Sequence, residues 1–445
     1  MTAPRQTERT GTTPTTDAAG PNPASAADDI DDTDEPRRRA PLAGLLTAQL
    51  VSRAGNAVTA IAVPLYALQS TGSPLATGVA GVFATVPIII GGTFGTVLVD
   101  RFGYRTSSIV ADVASGVTVL AIPILAATVG LPFWALLALV FVSGVLDTPG
   151  DTAKSVLLPS LARLARMPLP RAAGIQSAVE RSATLVGAAI AGLLVATIGS
   201  LQALLVDAAS FAVAALLIAL LAPRRIRAAH DDVDESAAVA PAGYLHGLAE
   251  GLRFLWCTPL LRGVVLLVTL TNAIDAAGMT VLKPLYATQA LHAPAALGAM
   301  VGCFAAGALT GSLLFATIGS RLAGRALFVG CFVVAGVLPY TAMAIGLPLP
   351  ALLVVLLASG LAAGSINPMI STVMFGLVPE GIRARVFGVT LAGASASMPL
   401  GALAAGLGVE AFGLHGVLIA CAVLYAVLTL APLFAPSFRQ LGDAR

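Results

Sequence analysis

The stretch PLYALQSTGSP, Pro64 to Pro74, returns 220 positions later as PLYATQALHAP, Pro284 to Pro294. At the same offset Gly78 meets Gly298, Gly91 meets Gly311, Arg101 meets Arg321 and Arg105 meets Arg325. A second block matches at an offset of 214. There Arg171 meets Arg385, Gly174 meets Gly388, Gly187 meets Gly401, Gly192 meets Gly406 and Gly199 meets Gly413. In a chain rich in Ala, Gly and Leu, the Pro, Tyr, Gln and Arg matches carry the weight. The sequence reads as one unit used twice in the same orientation.

The repeated unit is made for hydrocarbon. Of the 445 residues 57% are hydrophobic and only 11% charged, with a mean hydropathy of +0.89. Soluble domains lie near 45–50% apolar and about 25% charged. A net charge of +2 gives no reason to expect nucleic acid. The four cysteines are scattered without metal or disulfide spacing, and read as small packing residues. Residues 1–41 differ: Thr, Ala, Pro and Asp predominate, with DDIDDTDEP followed by Arg37 to Arg39. That composition predicts a disordered cytoplasmic tail, and it lacks the apolar core of a signal peptide.

Counting apolar runs of about 20 residues predicts twelve membrane spans. They fall near 42–68, 74–99, 106–129, 132–160, 173–198, 201–222, 260–288, 295–319, 325–346, 349–377, 385–412 and 415–436. Odd-numbered connections contain no Lys or Arg. Every even-numbered one does, from Arg101 and Arg105 to Arg383 and Arg385. The positive-inside rule then puts both termini in the cytoplasm. The expected fold is an all-α membrane protein of two parallel six-helix repeats. Its parts are a bundle at 42–222, a cytoplasmic linker with an amphipathic helix at 223–259, a second bundle at 260–436 and a tail at 437–445. Parallel repeats with a path between them describe an alternating-access transporter.

Between spans 2 and 3 lies VLVDRFGYR, Val97 to Arg105. With SRAGNAVTAIAVPLYAL, VGAAIAGLLVATIG, LLVDAASFAVAAL and IRARVFGV, this loop resembles the major facilitator superfamily. The likeness covers nearly the whole chain after the tail. Within the superfamily it is similar to the drug:proton antiporter branch of macrolide efflux proteins and the enterobactin exporter. Leu98, Asp100, Arg101, Gly103 and Arg105 match the loop motif, while Thr96 and Tyr104 depart from it. Ala188 replaces a proline of the antiporter motif in span 5. The resemblance implies that Asp100, Arg101, Gly103 and Arg105, joined by Asp151 of span 4, form a gate holding the cytoplasmic side closed.

Ionisable residues inside the spans ask for a partner or a task, since each costs at least ~2.5–3.5 kcal/mol in hydrocarbon. Arg53 lies near mid-membrane in span 1, either binding an anionic group or, the preferred reading, holding an acid from another helix. Asp147 and Asp151 share a face of span 4, with Lys154 three residues on; Pro149 and Gly150 between them predict a kink. Asp147 is the first candidate for proton coupling and Glu180 of span 5 the second. Arg181 is the expected charge partner of Asp147 or Asp151. Asp112 and Asp207 read as acids bonded to small neighbours, and Lys283 as a lysine snorkelling at the outer mouth. Asn56, Asn272, Asp275 and Asn367 complete, with Arg53, the candidate substrate cavity.

No nucleotide-binding Gly-rich stretch, metal cluster or Ser-His pair points to an enzyme, and no cofactor is expected. The expected activity is proton-coupled efflux of amphipathic small molecules, drugs or natural products, across a bacterial cytoplasmic membrane. Its partners are the substrate, protons and membrane lipid, and it acts as a monomer. The alternative is a dedicated exporter of one metabolite, siderophore or lysolipid on the same fold.

Overall fold

The computed structural model describes residues 38–223, 251–322, 324–379, 382–435 and 438, and every described element is helical. The predicted N-terminal tail and most of the linker lie outside the described residues; of the linker helix, 251–257 is described and is helical. In the first half, α1 is Ala40–Thr71, α2 Pro74–Phe102, α3 Tyr104–Thr128, α4 Phe133–Leu164, α5 Leu169–Ile198 and α6 Ser200–Leu221. In the second, α7 is Pro259–Ala290, α8 Ala296–Leu322, α9 Arg325–Ala344 and α10 Leu349–Leu377. Long apolar segments choose helix because hydrocarbon offers no partner to a backbone amide, and a helix satisfies its own. Among the described residues, nine helices are long and apolar enough to cross a membrane.

The last helical stretch, Arg383–Phe434, is two helices joined at Gly413. Unbroken, its 52 residues would reach about 78 Å at a rise of about 1.5 Å each, far beyond a hydrocarbon core of about 30 Å. At Gly413 φ is 73°, a left-handed value that glycine adopts without steric cost. The chain folds back there: a Cβ on Gly408 would lie 3.2 Å from Val417. The two arms are α11 (383–412) and α12 (414–434). Gly199, its counterpart at the 214 offset, makes the same hinge between α5 and α6 with φ 90°. At the expected kink in α4, helix continues through Pro149 and Gly150. Gly150 also lets α4 close on α3, where a Cβ would stand 2.9 Å from Ala111.

The two ends of the bundle differ. One carries the connections without Lys or Arg (the non-basic end), and the other carries the basic connections. In the first half α1 packs on α5 and α6, and α3 on α4 and α6; in the second α8 packs on α10. The halves meet along α2 with α11 and along α5 with α8. A Cβ on Gly78 would lie 2.6 Å from the Ala402 carbonyl oxygen, and one on Gly298 would lie 2.3 Å from the Cα of Gly192. Only residues without side chains let two backbones approach so closely. These contacts lie toward the non-basic end. There the first-half core around Val58, Ile61 and Leu65 runs on into Ala287, Leu297 and Val301 of the second half. Toward the basic end, no glycine approach between the halves occurs among the described residues.

Candidate functional site: a charged cavity on α1, α4 and α5

A cavity of about 820 Å³ runs along the bundle, lined from Ile122 and Val140 on its non-basic side to Ser155 and Val156 toward the basic end. Its wall comes almost wholly from the first half, with Leu391 of α11 facing it. Val156 and Leu391, at its basic-end margin, are 41% and 69% exposed. A smaller space of about 260 Å³ shares Arg53, Asn56 and Ala60 as wall residues and is bounded across the halves by Met279 of α7 and Val301 of α8. Arg53 and Asn56 therefore stand where both halves meet the open volume.

Helix α1 organises the charges. Arg53, Asn56 and Thr59 recur at three-residue steps, so they climb one side of the helix and reach different neighbours. The Arg53 Nη2 lies 3.2 Å from Asp151 Oδ2 of α4 and 3.5 Å from Glu180 Oε1 of α5. One guanidinium thus ties three helices. Asn56 Nδ2 donates to Asp147 Oδ2 at 2.8 Å, while the buried Asp147 Oδ1 has no protein partner. Thr59 donates to Asp207 of α6, which also accepts from Ser210 at 3.2 Å and is fully buried. Four acids therefore meet this side of α1, and the one guanidinium on it pairs with two of them.

Behind the cavity wall sits a second ion pair. Lys154 Nζ donates to Asp112 Oδ1 at 2.7 Å, and both side chains are completely buried. The pairing corrects the expectation that Asp112 bonds only to small neighbours. An acid and a lysine on adjacent spans, each needing a partner, were the available signal. Arg181 corrects another expectation: it is half-buried and forms no ion pair among the described residues. Arg53, from a helix distant in sequence, takes the neutralising role instead.

On α7 of the second half, Asn272, Asp275, Met279 and Lys283 share one side, whose spacing is widened by a π-helical turn at Gly278–Leu282. Asp275 is exposed and accepts from Tyr425 Oη of α12 at 3.4 Å. Lys283 does not snorkel: it is half-buried, with Nζ 5.2 Å from the centre of the Phe304 ring. Asn272 is half-buried, and Asn367 is exposed on α10.

Of the expected gate, the side chains of Asp100 and Arg101 lie outside the described residues. Gly103 joins α2 to α3 with φ 80°. Arg105 is engaged inside its own half: Nε donates to the Ala222 carbonyl at 2.9 Å and Nη2 to that of Ala219 at 2.6 Å, at the end of α6. Its repeat partner Arg325 does the same to α12, with Nε and Nη2 at 2.9 and 2.6 Å from the Pro432 carbonyl. A cation at a helix C-terminus meets unpaired carbonyls and the negative end of the macrodipole.

Two bundles of helices related by an internal repeat, closed on each other at one end and holding a charged cavity toward the other, define a membrane transporter of the major facilitator type. The family model described as transmembrane secretion effector matches residues 35–440, and the chain belongs to that family. It is 32% identical over 410 residues to the multidrug efflux pump Tap of Mycolicibacterium fortuitum, covering 92% of this chain and 98% of that pump. Tap of Mycobacterium tuberculosis is 31% identical over 409 residues, covering 91% and 96%. Among solved structures, the nucleoside transporter NupG superposes with a TM-score of 0.71 at 16% identity, covering 88% of this chain and 98% of that one. A bacterial homologue of the lysosomal transporter Spinster superposes with a TM-score of 0.64 at 14% identity, covering 92% of both chains.

Proposed function

We infer that the protein exports amphipathic small molecules by alternating access, driven by protons moving the other way, across a bacterial cytoplasmic membrane. Both termini face the cytoplasm, because every connection at their end of the bundle is basic. The conformation described here is then inward-facing, with the cavity reachable from the cytoplasm. Likeness to two multidrug pumps over nearly the whole chain supports efflux of drug-like compounds.

One observation carries the coupling. Asp147 stands on the cavity wall, held through one oxygen by Asn56 while the other has no protein partner. A carboxylate so placed takes up and gives up a proton without breaking a salt bridge. Glu180 is the secondary proton site, because its proton competes with Arg53. Asn272, Asp275 and Asn367 supply polar contacts to the substrate from the second half. In the outward-facing state Asp100, Arg101 and Asp151 close the cytoplasmic end, while Gly103 gives the loop its turn and Arg105 braces α6. Membrane lipid surrounds a functional monomer. A dedicated exporter of an anionic siderophore or lysolipid would need Arg53 free, and here two carboxylates hold it.

The test is uptake of a fluorescent lipophilic cation into inverted vesicles energised by an inward-acid proton gradient. Wild type accumulates the dye. Asp147→Asn is expected to lose nearly all of the proton-dependent rate while still binding the dye, since an amide carries no titratable proton. Undiminished proton-driven accumulation in Asp147→Asn would remove Asp147 from the coupling route.

A further inference from the structure

One acid at the non-basic end has no part in the cavity. Glu410 lies near the end of α11, and its Oε1 accepts from Ser73 Oγ at 2.6 Å and from the Leu75 backbone N–H at 3.3 Å. Both donors belong to the other half. Ser73 is the N-cap of α2: its Oγ accepts from the Ala76 N–H at 3.2 Å while donating to Glu410. The Leu75 N–H is one of the first-turn amides that a helix cannot satisfy itself, and a carboxylate is favoured there by the helix dipole. We propose that Glu410 is a latch that holds the non-basic end shut by capping α2 across the junction of the two halves.

The packing beneath it supports this role. Ala402, Gly406 and Glu410 recur at four-residue steps on α11, so they form one ridge. Gly406 presses on α2, where its Cβ would lie 3.0 Å from the Cα of Leu75 and 3.0 Å from the Pro74 carbonyl oxygen. The ridge is smooth where the backbones touch and polar at its tip. This inference rests on the alternating-access reading: opening the non-basic end parts α2 from α11, and the Glu410 contacts then go to water.

The internal repeat supplies a comparison. At the opposite corner α5 meets α8 with equivalent geometry: a Cβ on Gly192 would lie 2.9 Å from the Cα of Gly298 and 3.2 Å from the Ala295 carbonyl oxygen. There the position equivalent to Glu410 is Ala196, and that equivalent to Ser73 is Ala293. One corner is latched and the other only packed.

The experiment is pulsed electron–electron distance measurement between spin labels at Val129→Cys and Ile345→Cys, in the full chain lacking its native cysteines. Both sites are exposed at the non-basic end, one in each half, at 80% and 68%. Glu410→Ala is expected to raise the long-distance population about threefold to tenfold, the range for losing a charge-assisted hydrogen bond partly replaced by water. Glu410→Gln keeps an acceptor oxygen and shifts less. Ala196→Glu with Ala293→Ser adds a latch at the second corner and lowers that population. A wild type that alternates and a Glu410→Ala that alternates with the same distribution overturns the latch alone. A wild type locked at one distance under every substrate and pH condition overturns the latch and alternating access together.

Discussion

The first and second halves share a helix order, hinge glycines and a stapling arginine, yet they place ionisable groups differently. Arg53, Asp112, Asp147, Asp151, Lys154, Glu180 and Asp207 all sit on first-half helices, and the structure pairs or bonds each of them. The corresponding second-half helices hold Asp275 and Lys283 around an apolar core. There Tyr340 and Tyr425 fill space left by Gly278 and Gly336, and the Tyr340 hydroxyl donates to the Ile274 carbonyl at 2.7 Å. A repeat duplicates backbone geometry cheaply, because glycines and prolines act locally. It does not preserve buried charge, because each charge needs a partner on a second helix. What survives in both halves is therefore the scaffold, and what differs is the chemistry.

The sharpest way to break that comparison is to strip a lysine from each half. Lys154→Ala leaves Asp112 fully buried without its partner, at a cost of about 3–5 kcal/mol. Thermal unfolding in detergent should register this as a large loss, and adding Asp112→Asn should recover most of it. Lys283→Ala removes a cation that rests on a ring rather than in a fully buried pair, and its effect is expected to be clearly smaller. Equal losses from the two lysine variants would erase the contrast between the halves.

The stapling arginines test the shared side. Arg105→Ala and Arg325→Ala should each cost about 1.5–3 kcal/mol, the value of hydrogen bonds from a charged donor. The two losses should match, since each arginine holds the C-terminal carbonyls of the last helix in its half. A transport defect in Arg105→Ala with unchanged stability would instead return this residue to a gating role.

The smallest effect on stability is expected at Arg53. Its two ion pairs are about one-third exposed, and such pairs contribute no more than about 1 kcal/mol. Arg53→Gln should leave the unfolding temperature nearly unchanged while releasing Asp151 and Glu180. The pH profile of dye transport is the sensitive readout, and a profile identical to wild type would remove Arg53 from the coupling.

Much of this molecule is written in its sequence. Hydropathy and the alternation of basic loops mark where helices begin and end, because those signals are local and every span meets the same hydrocarbon. Hinges at Gly199 and Gly413 and the pairing of Arg105 with Arg325 follow from the repeat. Charge inside the apolar spans also brought out Arg53, Asp147, Asp151 and Glu180 as residues needing a partner or a task. What it could not provide was the partner. Lys154 finds Asp112 on the preceding helix, Arg53 reaches past the adjacent helices to α4 and α5, and Glu410 crosses to the other half of the chain. Periodicity says which side chains share one face of a helix. Which neighbour that face meets depends on how helices far apart in sequence pack together, and only the tertiary structure decides it.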